Sequence, residues 1–307
     1  MLTLDLEAAA GEGTRTLVQR LRGLPRDRAS VVDVAPIEPA RLLSVPAVER
    51  ALSESLLRVP AFGMVHGHQE VGTERITRSR EIRGRRLGGF ADIADIAGIG
   101  REFTAGASLV LSNVEAWHRG VAGAVSGLAG AALAEVHAVA ILSPSSSQAF
   151  SAHVDAEDVL AVQLAGSKLW RQFEKTGGET APGAVTGHGR PVSSVTLERH
   201  MALFVPRGVP HEVMSQGDYS LHVSFTFHPL PISRAAALAL ELVLKDSAAQ
   251  TLPALADDRE ARLPQLIAGL AARLGDLDPT RVLRAVAAPY LDRDDAAPLA
   301  GALKRRS

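Results

Sequence analysis

Apolar and polar residues alternate with a period of two in the middle of the chain. Over Tyr219–Phe227, apolar side chains alternate with the polar residues Ser220, His222, Ser224 and Thr226. Because successive side chains of a β-strand point to opposite faces, this pattern predicts a strand with one buried and one polar face. Short runs rich in apolar residues predict further strands at Ala107–Ser112, Val136–Leu142, Val159–Leu164, Lys168–Phe173 and Met201–Val205.

The connections between these strands are short and contain turn-forming residues. Ala165–Ser167 predicts the turn of a hairpin between the two strands that flank it. Short strands at this spacing favour a β-sandwich or a barrel. We therefore expect a mainly β core, formed by residues 101–229, with helices added to it.

Helical periodicity appears within this core and on both sides of it. Ser44 predicts the cap of a helix that ends near Leu57, and small residues predict a second helix over 116–131. We expect residues 1–100 to form a mixed N-terminal region packed on the core, and residues 230–307 to form a helical region that makes a homodimer. The C-terminal helices are predicted at Ala235–Leu244, Leu263–Leu274 and Pro279–Leu291.

Composition narrows the range of functions. The 307 residues contain no cysteine, which excludes disulfide scaffolds, thiol nucleophiles and metal sites built on cysteine. The formal net charge is −1 and aromatic residues make up 4%, which argues against nucleic acid as the partner. One basic stretch, Arg75–Arg86, holds six arginines and keeps an RNA contact open, although a solvated surface is the commoner meaning of such a run.

The longest nearly apolar stretch, Val121–Leu142, does not have the pattern of a membrane span. It carries Glu135 and His137 and consists largely of Ala and Gly, so a buried helix followed by a strand fits it better. The acidic N-terminus lacks the basic and then apolar pattern of a signal peptide. We therefore expect a cytoplasmic protein without a membrane partner.

A His-x-Asp motif carries the candidate chemistry. His153 and Asp155 are two residues apart, so a strand would place both side chains on one side. One further imidazole would complete a two-histidine, one-carboxylate triad, which holds Fe(II) on one face and leaves positions open for a cosubstrate and O₂. His211, which follows a predicted strand, is the candidate third ligand.

This motif is a weak signal by itself, since a second instance at His68–Glu70 is more simply a surface pair. The context strengthens it. Lys168 lies on a neighbouring predicted strand, where an ammonium group can pair with the distal carboxylate of a dicarboxylic keto acid. His222, Ser224 and Thr226, on the polar face of the last strand, could then fix the orientation of this acid.

The segments that surround these residues resemble a known family. Residues 103–227 are similar to the JmjC-type cupin oxygenases, and in particular to their ribosomal-oxygenase-like (cupin-4) branch. The matching segments are Phe103–Leu111, Ser143–Asp155, Asp158–Trp170, Pro206–His211 and Ser220–Ser224.

The resemblance implies a fold, a metal and a cosubstrate. The fold is a double-stranded β-helix, or jelly roll, with the metal inside it. The resemblance implies that His153, Asp155 and His211 ligate Fe(II), and that Lys168 binds the C5 carboxylate of 2-oxoglutarate. It also implies that His222 lies near the metal and the cosubstrate, and that O₂ takes part in the reaction.

The resemblance implies two further site residues, and this chain differs from the family in two respects. Ser143, on the strand before the first ligand, and Ser224, on the last strand, are implied hydrogen-bond partners near 2-oxoglutarate. Phe150 lacks the hydroxyl that some relatives use for this purpose. The C-terminal part is short, so we expect dimer helices without the winged-helix domain of the ribosomal-protein hydroxylases, which weakens the case for a ribosomal substrate.

These features predict an Fe(II)- and 2-oxoglutarate-dependent dioxygenase that hydroxylates an amino-acid side chain in a peptide or protein. A free amino acid or a natural-product intermediate is the alternative substrate, and oxidation of an N-methyl carbon would give demethylation instead. Two other classes stay open: a non-catalytic metal-binding cupin module, for which a carboxylate anchor such as Lys168 has no use, and an RNA-modifying oxygenase.

Overall fold

One antiparallel sheet of eleven strands forms the centre of the structure, which is a computed structural model. Its strands are β1 (Ser30–Val32), β2 (Phe62–His66), β3 (Gln69–Glu70), β8 (Ser108–Leu111), β9 (Glu135–Pro144), β10 (His153–Val154), β11 (Asp158–Gln172), β12 (Gly183–Ala184), β13 (Ser193–Leu197), β14 (Ala202–Val205) and β15 (His211–His228). The structure describes residues 11–55, 57–79, 81–82, 85–86, 92–174, 183–184, 190–245 and 259–291.

Eight of these strands lie side by side in the order β1-β14-β11-β15-β9-β8-β2-β3, and the other three pair off this path. β1 and β2 come from the N-terminal region, yet they belong to the same sheet as the central strands. Four short strands form two separate pairs, β4 with β7 and β5 with β6. Their bounds are β4 (Thr77–Arg78), β5 (Glu81–Ile82), β6 (Arg85–Arg86) and β7 (Ile93–Ala94).

Eight described helices surround the sheet, and three of them follow it in sequence. An amphipathic first helix and a central helix rich in small residues pack against each other and against the sheet. The helices are α1 (Glu12–Arg22), α2 (Val45–Glu54), α3 (Thr73–Ile76), α4 (Ile96–Thr104), α5 (Arg119–Ala132), α6 (Ile232–Lys245), α7 (Arg259–Gly275) and α8 (Pro279–Leu291).

The sheet curls because its two longest strands, β11 and β15, bend in the middle. The first half of β11 pairs with β14 and its second half pairs with β13, so one strand contributes to both layers of the jelly roll. The register with β15 shifts at Ala165 and at Ser167. Between them, Gly166 has φ +59, and a Cβ there would lie 2.0 Å from the Tyr219 carbonyl oxygen, so the bend requires glycine.

This bend corrects one prediction. The Ala165–Ser167 segment is not a hairpin turn, because β11 continues through it as a single strand. Ala-Gly-Ser supplies the same conformational freedom to a β-bulge as to a turn, and here the bulge redirects the strand without reversing it. The remaining strand predictions and all the helix predictions coincide with observed elements, with shifts of a few residues at the ends.

The core lies between the sheet and α1, α2 and α5. Its largest fully buried side chains include Phe62, Phe204 and Phe225, which come from three different strands of the sheet. The apolar stretch that begins at Val121 is α5 followed by β9, as expected. Among the helices that the structure describes, none has both the length and the apolar character needed to cross a bilayer. The jelly-roll core predicted from the sequence is confirmed.

Candidate functional site

The three predicted metal ligands meet at one end of the jelly roll. His153 begins β10 and His211 begins β15, and these two residues face each other directly in the antiparallel pairing of the two strands. Their imidazole ring centroids lie 4.4 Å apart. Asp155 follows β10, on the side of His153 that faces the ring of His211. The register of two strands therefore brings together ligands that are far apart in sequence.

Backbone hydrogen bonds fix how the two imidazoles point. His153 Nδ1 lies 2.9 Å from the Ser151 carbonyl oxygen, and His211 Nδ1 lies 3.0 Å from the Val209 carbonyl oxygen. A carbonyl oxygen can only accept a hydrogen bond, so both Nδ1 atoms carry the proton and donate it. The Nε2 atoms then keep their lone pairs, and each lies 3.6 Å from an Asp155 carboxylate oxygen.

This donor set fits a divalent transition metal. One ligand atom from each of the three residues lies within 4.8 Å of the other two. Burial, and to a smaller extent the charge of His153, lower the pKa of His211, which favours the neutral imidazole that a metal needs. Two imidazoles and one carboxylate are the ligands typical of non-haem Fe(II) sites with open positions. The oriented Nδ1 donors supply the outer hydrogen bonds that such ligands require.

The ligand atoms border a cavity of about 190 Å³. Its walls combine the polar face of β15 with apolar side chains of β9 and β11. All seven residues predicted from the sequence line it: His153, Asp155, His211, Lys168, His222, Ser143 and Ser224.

Lys168 is a buried cationic residue that lines this cavity. It is 3% exposed, and its Nζ donates a hydrogen bond to Ser143 Oγ at 3.1 Å. No carboxylate among the described residues forms an ion pair with it, and burial lowers the pKa of Lys168 to about 7. A buried ammonium without a counter-ion is costly, so an incoming carboxylate would restore its protonated form.

Three further serines lie behind Lys168, and sequence reasoning missed them. Ser108 Oγ donates to Ser143 Oγ at 2.9 Å and lies 3.0 Å from Ser147 Oγ, which in turn donates to the Gly106 carbonyl at 3.0 Å. The Ser215 hydroxyl hydrogen-bonds the backbone of the same region. Ser108 is the one polar residue of β8, and nothing else in the sequence distinguishes it from the other serines on strands.

His222 and Trp170 also line the cavity. His222 is 3% exposed, and its Nδ1 has no hydrogen-bond partner in the described part of the chain. Burial, and then the charge of Lys168, hold the pKa of His222 well below its ordinary value, so the ring is neutral. Trp170 stacks on His211 at 5.7 Å between centroids and meets His222 edge-on at 5.8 Å.

Among the described residues of the basic stretch over 75–86, none lines this cavity. Arg75 is tied to the buried carboxylate of Glu102 by an ion pair of 2.7 Å, which is a structural contact. Arg80 and Arg83 lie outside the described residues. The second His-x-acid motif does not belong to this cavity either, because His68 and Glu70 are both exposed and neither lines it.

Comparison with protein families and known proteins agrees with this geometry. Residues 128–234 match the JmjC domain. Over 91 residues, the chain is 36% identical to a bifunctional lysine-specific demethylase and histidyl-hydroxylase NO66 of Dictyostelium discoideum. This match covers 27% of this chain and 18% of that protein. Over 93 residues, it is 33% identical to human ribosomal oxygenase 1, and this match covers 28% of this chain and 14% of that protein. The chain thus spans less than a fifth of these relatives.

Solved structures extend the similarity to most of the chain. E. coli ycfD superposes with a TM-score of 0.50 and 19% identity, over 83% of this chain and 67% of that one. A structure of the same protein in complex with cobalt and 2-oxoglutarate gives a TM-score of 0.50 and 17% identity, over 88% and 67%. At such identities the likeness establishes the fold. The match of residues 128–234 to the JmjC domain confirms the resemblance inferred from the sequence.

Proposed function

We propose that this protein is an Fe(II)- and 2-oxoglutarate-dependent oxygenase that hydroxylates an amino-acid side chain in a peptide or protein. The observation that carries the proposal is one cavity that holds both a two-histidine, one-carboxylate triad and a buried lysine with no counter-ion among the described residues. A metal alone would need only the triad. The lysine provides for a dicarboxylic cosubstrate as well.

Each residue has a separate role in this proposal. His153, Asp155 and His211 hold the metal through Nε2 and carboxylate atoms that their backbone contacts orient in advance. Lys168 and Ser143 bind the distal carboxylate of 2-oxoglutarate. A bound ferrous ion supplies the O₂-dependent oxidation, in which 2-oxoglutarate is decarboxylated to succinate.

The cavity walls have the character that this chemistry needs. Val139, Ile141 and Val159 are apolar and keep bulk water away from the reacting centre. His222 and Ser224 face the same space from β15, and we propose that they orient the cosubstrate. The neutral state of His222 leaves Lys168 as the positive group for a dianionic cosubstrate.

Relatives support a protein substrate for this reaction. Those that match over part of their length are named as a histidyl-hydroxylase, a lysine-specific demethylase and ribosomal oxygenases. We accordingly place a peptide or protein substrate ahead of a free amino acid, a natural-product intermediate or an RNA. Whether oxidation ends in hydroxylation or demethylation depends on the target carbon.

Anaerobic titration separates the proposed enzyme from a non-catalytic metal-binding module. Adding Fe(II) and 2-oxoglutarate to the protein without O₂ should give a weak metal-to-ligand charge-transfer band in the visible spectrum, because 2-oxoglutarate would chelate the bound ferrous ion. Admitting air should then release succinate above the level of a His153→Ala blank. Metal binding without the band or the succinate would favour the module and contradict the proposal.

We also propose the wider organisation that the sequence predicted. Residues 101–229 form the catalytic core, residues 1–100 pack on it and add strands to its sheet, and residues 230–307 join two copies of the chain in a homodimer. Large apolar side chains are exposed on α6 and α7, and a second copy would cover them. They are Ile232, Leu240, Leu244, Leu263 and Ile267. The absence of cysteine supports a cytoplasmic location, which cell fractionation would test.

A charge placed on this apolar surface should break the dimer. Ile267 is 57% exposed in α7, so Ile267→Glu leaves the fold of a single copy intact but puts a carboxylate into the proposed interface. Light scattering at micromolar concentration should give the dimer mass for the wild type and the monomer mass for this variant. Gln265→Glu adds the same charge at a neighbouring exposed position and serves as the control. A monomeric wild type would refute the dimer.

A further inference from the structure

A row of paired residues crosses the sheet from the metal-site cavity to a second cavity. His222 on β15 pairs with Ile141 on β9, Ile141 pairs with Val110 on β8, and Val110 pairs with Gly63 on β2. Side chains of directly paired residues lie on the same face of a sheet. The face that lines the metal-site cavity therefore continues, strand by strand, as far as Gly63.

The second cavity, which we call the β2 groove, lies over the end of this row. It has a volume of about 280 Å³ and is bordered by Gly63, Val65, Val71 and Val110 among others. Phe150 borders both cavities: it lines the β2 groove and the metal-site cavity, and its ring lies 6.0 Å from the His153 ring. The two cavities are thus neighbours along one surface.

Several side chains on the two faces of these strands differ in burial, although Val65 on the cavity face is buried as well. Phe62, Met64 and Leu109 point to the other face and are at most 2% exposed, because that face packs into the core. Val110 and Ile141, on the cavity face, are only partly buried. Apolar side chains that stay partly exposed along a concave surface are typical of a binding site.

Gly63 forms the floor of the β2 groove by having no side chain. A Cβ added there would have no atom within 4 Å, and the backbone does not need positive φ at this position. Glycine in a strand interior weakens the strand, and it marks places where a ligand or another backbone approaches closely. Any larger side chain would point into the groove.

The spacing between the cavities suits an extended peptide. Three steps between neighbouring strands, each of about 4.8 Å, separate Gly63 from His222 by roughly 14 Å. An extended chain advances about 3.3 Å per residue, so about four residues span this distance. A free amino acid is too short to occupy both cavities at once.

We propose that the β2 groove binds an apolar side chain of a peptide substrate, about four residues from the residue that is oxidised. This inference rests on the proposed function and specifies its substrate further. Glu70 borders the groove, is exposed, and forms no ion pair with a described residue, which favours a basic residue beside the apolar one. The groove is large enough for a side chain the size of leucine or methionine.

A peptide mixture tests the groove without knowledge of the natural substrate. The Fe(II)-loaded protein is given 2-oxoglutarate, air and peptides from a protease digest of total E. coli protein, and mass spectrometry locates each added oxygen. Oxidised peptides should be enriched in Leu, Ile, Val or Met at one fixed offset, three to five residues from the oxidised residue. In Gly63→Leu this enrichment should disappear. For the best peptide, KM should rise about ten- to hundredfold while kcat changes little.

A glycine outside the groove provides the matched control. Gly100 is exposed on α4, and a Cβ there also meets nothing within 4 Å, so Gly100→Leu should oxidise the mixture with the wild-type preference. Peptides oxidised without enrichment at a fixed offset, or an unchanged KM in Gly63→Leu, would overturn the groove and leave the proposed function standing. Absence of both succinate release and peptide oxidation in the wild type would overturn both.

Discussion

Asp155→Asn is expected to lower the affinity for Fe(II) by at least about a hundredfold and to reduce succinate release to background. The substitution keeps the volume of the side chain but removes the negative charge between two imidazoles whose Nε2 atoms both lie 3.6 Å from it. Loss of an outer hydrogen bond alone costs tenfold to hundredfold in metal affinity, and loss of an anionic ligand costs more. Metal-binding calorimetry and a succinate assay measure the two effects.

Glu157→Gln is the matched control for this change. Glu157 is two residues further along the same segment and pairs with His228 at 3.5 Å, away from the ligand atoms. The same conversion of acid to amide there should leave metal affinity and succinate release close to the wild type. If Asp155→Asn bound Fe(II) within threefold of the wild type, the triad would not be the metal site.

Lys168→Met should raise the KM for 2-oxoglutarate by about two orders of magnitude. Methionine is unbranched and replaces the apolar stem of the side chain without its ammonium group, so the fold should survive. It leaves the distal carboxylate of the cosubstrate buried without a cation, and loss of one partner from a buried charged pair costs several kcal/mol. Calorimetry of 2-oxoglutarate binding provides a second measurement that does not depend on turnover.

The low pKa of Lys168 makes this binding depend on pH. With the pKa lowered to about 7 by burial, Lys168 is largely neutral above pH 7 and must take up a proton when a carboxylate binds. Affinity for 2-oxoglutarate should therefore fall as pH rises from 7 to 9. The profile should be flat in Lys168→Arg, because a guanidinium stays protonated over this range. A flat profile in the wild type would show that Lys168 does not carry the pairing charge.

Without the cosubstrate, the free energy of unfolding should also depend on the protonation of Lys168. It should rise with pH, whereas the affinity for 2-oxoglutarate falls. Below pH 7 both the folded and the unfolded chain carry a protonated Lys168, so the cost of burying the charge is fully present. As pH rises from 7 towards 10.5, the folded chain loses this proton and the unfolded chain keeps it, so stability increases. Lys168→Met should melt at a higher temperature than the wild type at pH 7, and this difference should become smaller as the pH approaches 10.5.

The strands and the ligand triad could be predicted because each leaves a mark in the sequence. Alternation of apolar and polar residues located the second half of β15, since it reflects which face each side chain occupies, and short apolar runs located β9 and most of β11. The spacing of His153 and Asp155 is a weak signal by itself, and the resemblance of the surrounding segments to a known family identified the residues that share the cavity.

What the sequence could not predict depends on how strands are aligned. The bulge at Gly166 resembles a turn locally, and only the pairing of β11 with β15 on both sides of it distinguishes the two. The Ser108–Ser143 contact joins residues 35 positions apart, and serine is common on strands. The β2 groove becomes visible only when the registers of β15, β9, β8 and β2 are combined.

The direct pairing of His153 with His211 ties the metal site to strand alignment. A slip of β15 by one residue would send the His211 side chain to the opposite face and leave two ligands where three are needed. An ion that binds only the aligned chain favours that alignment in proportion to its own affinity. Metal binding should therefore stabilise the correct register of β15 relative to registers that are shifted by one residue.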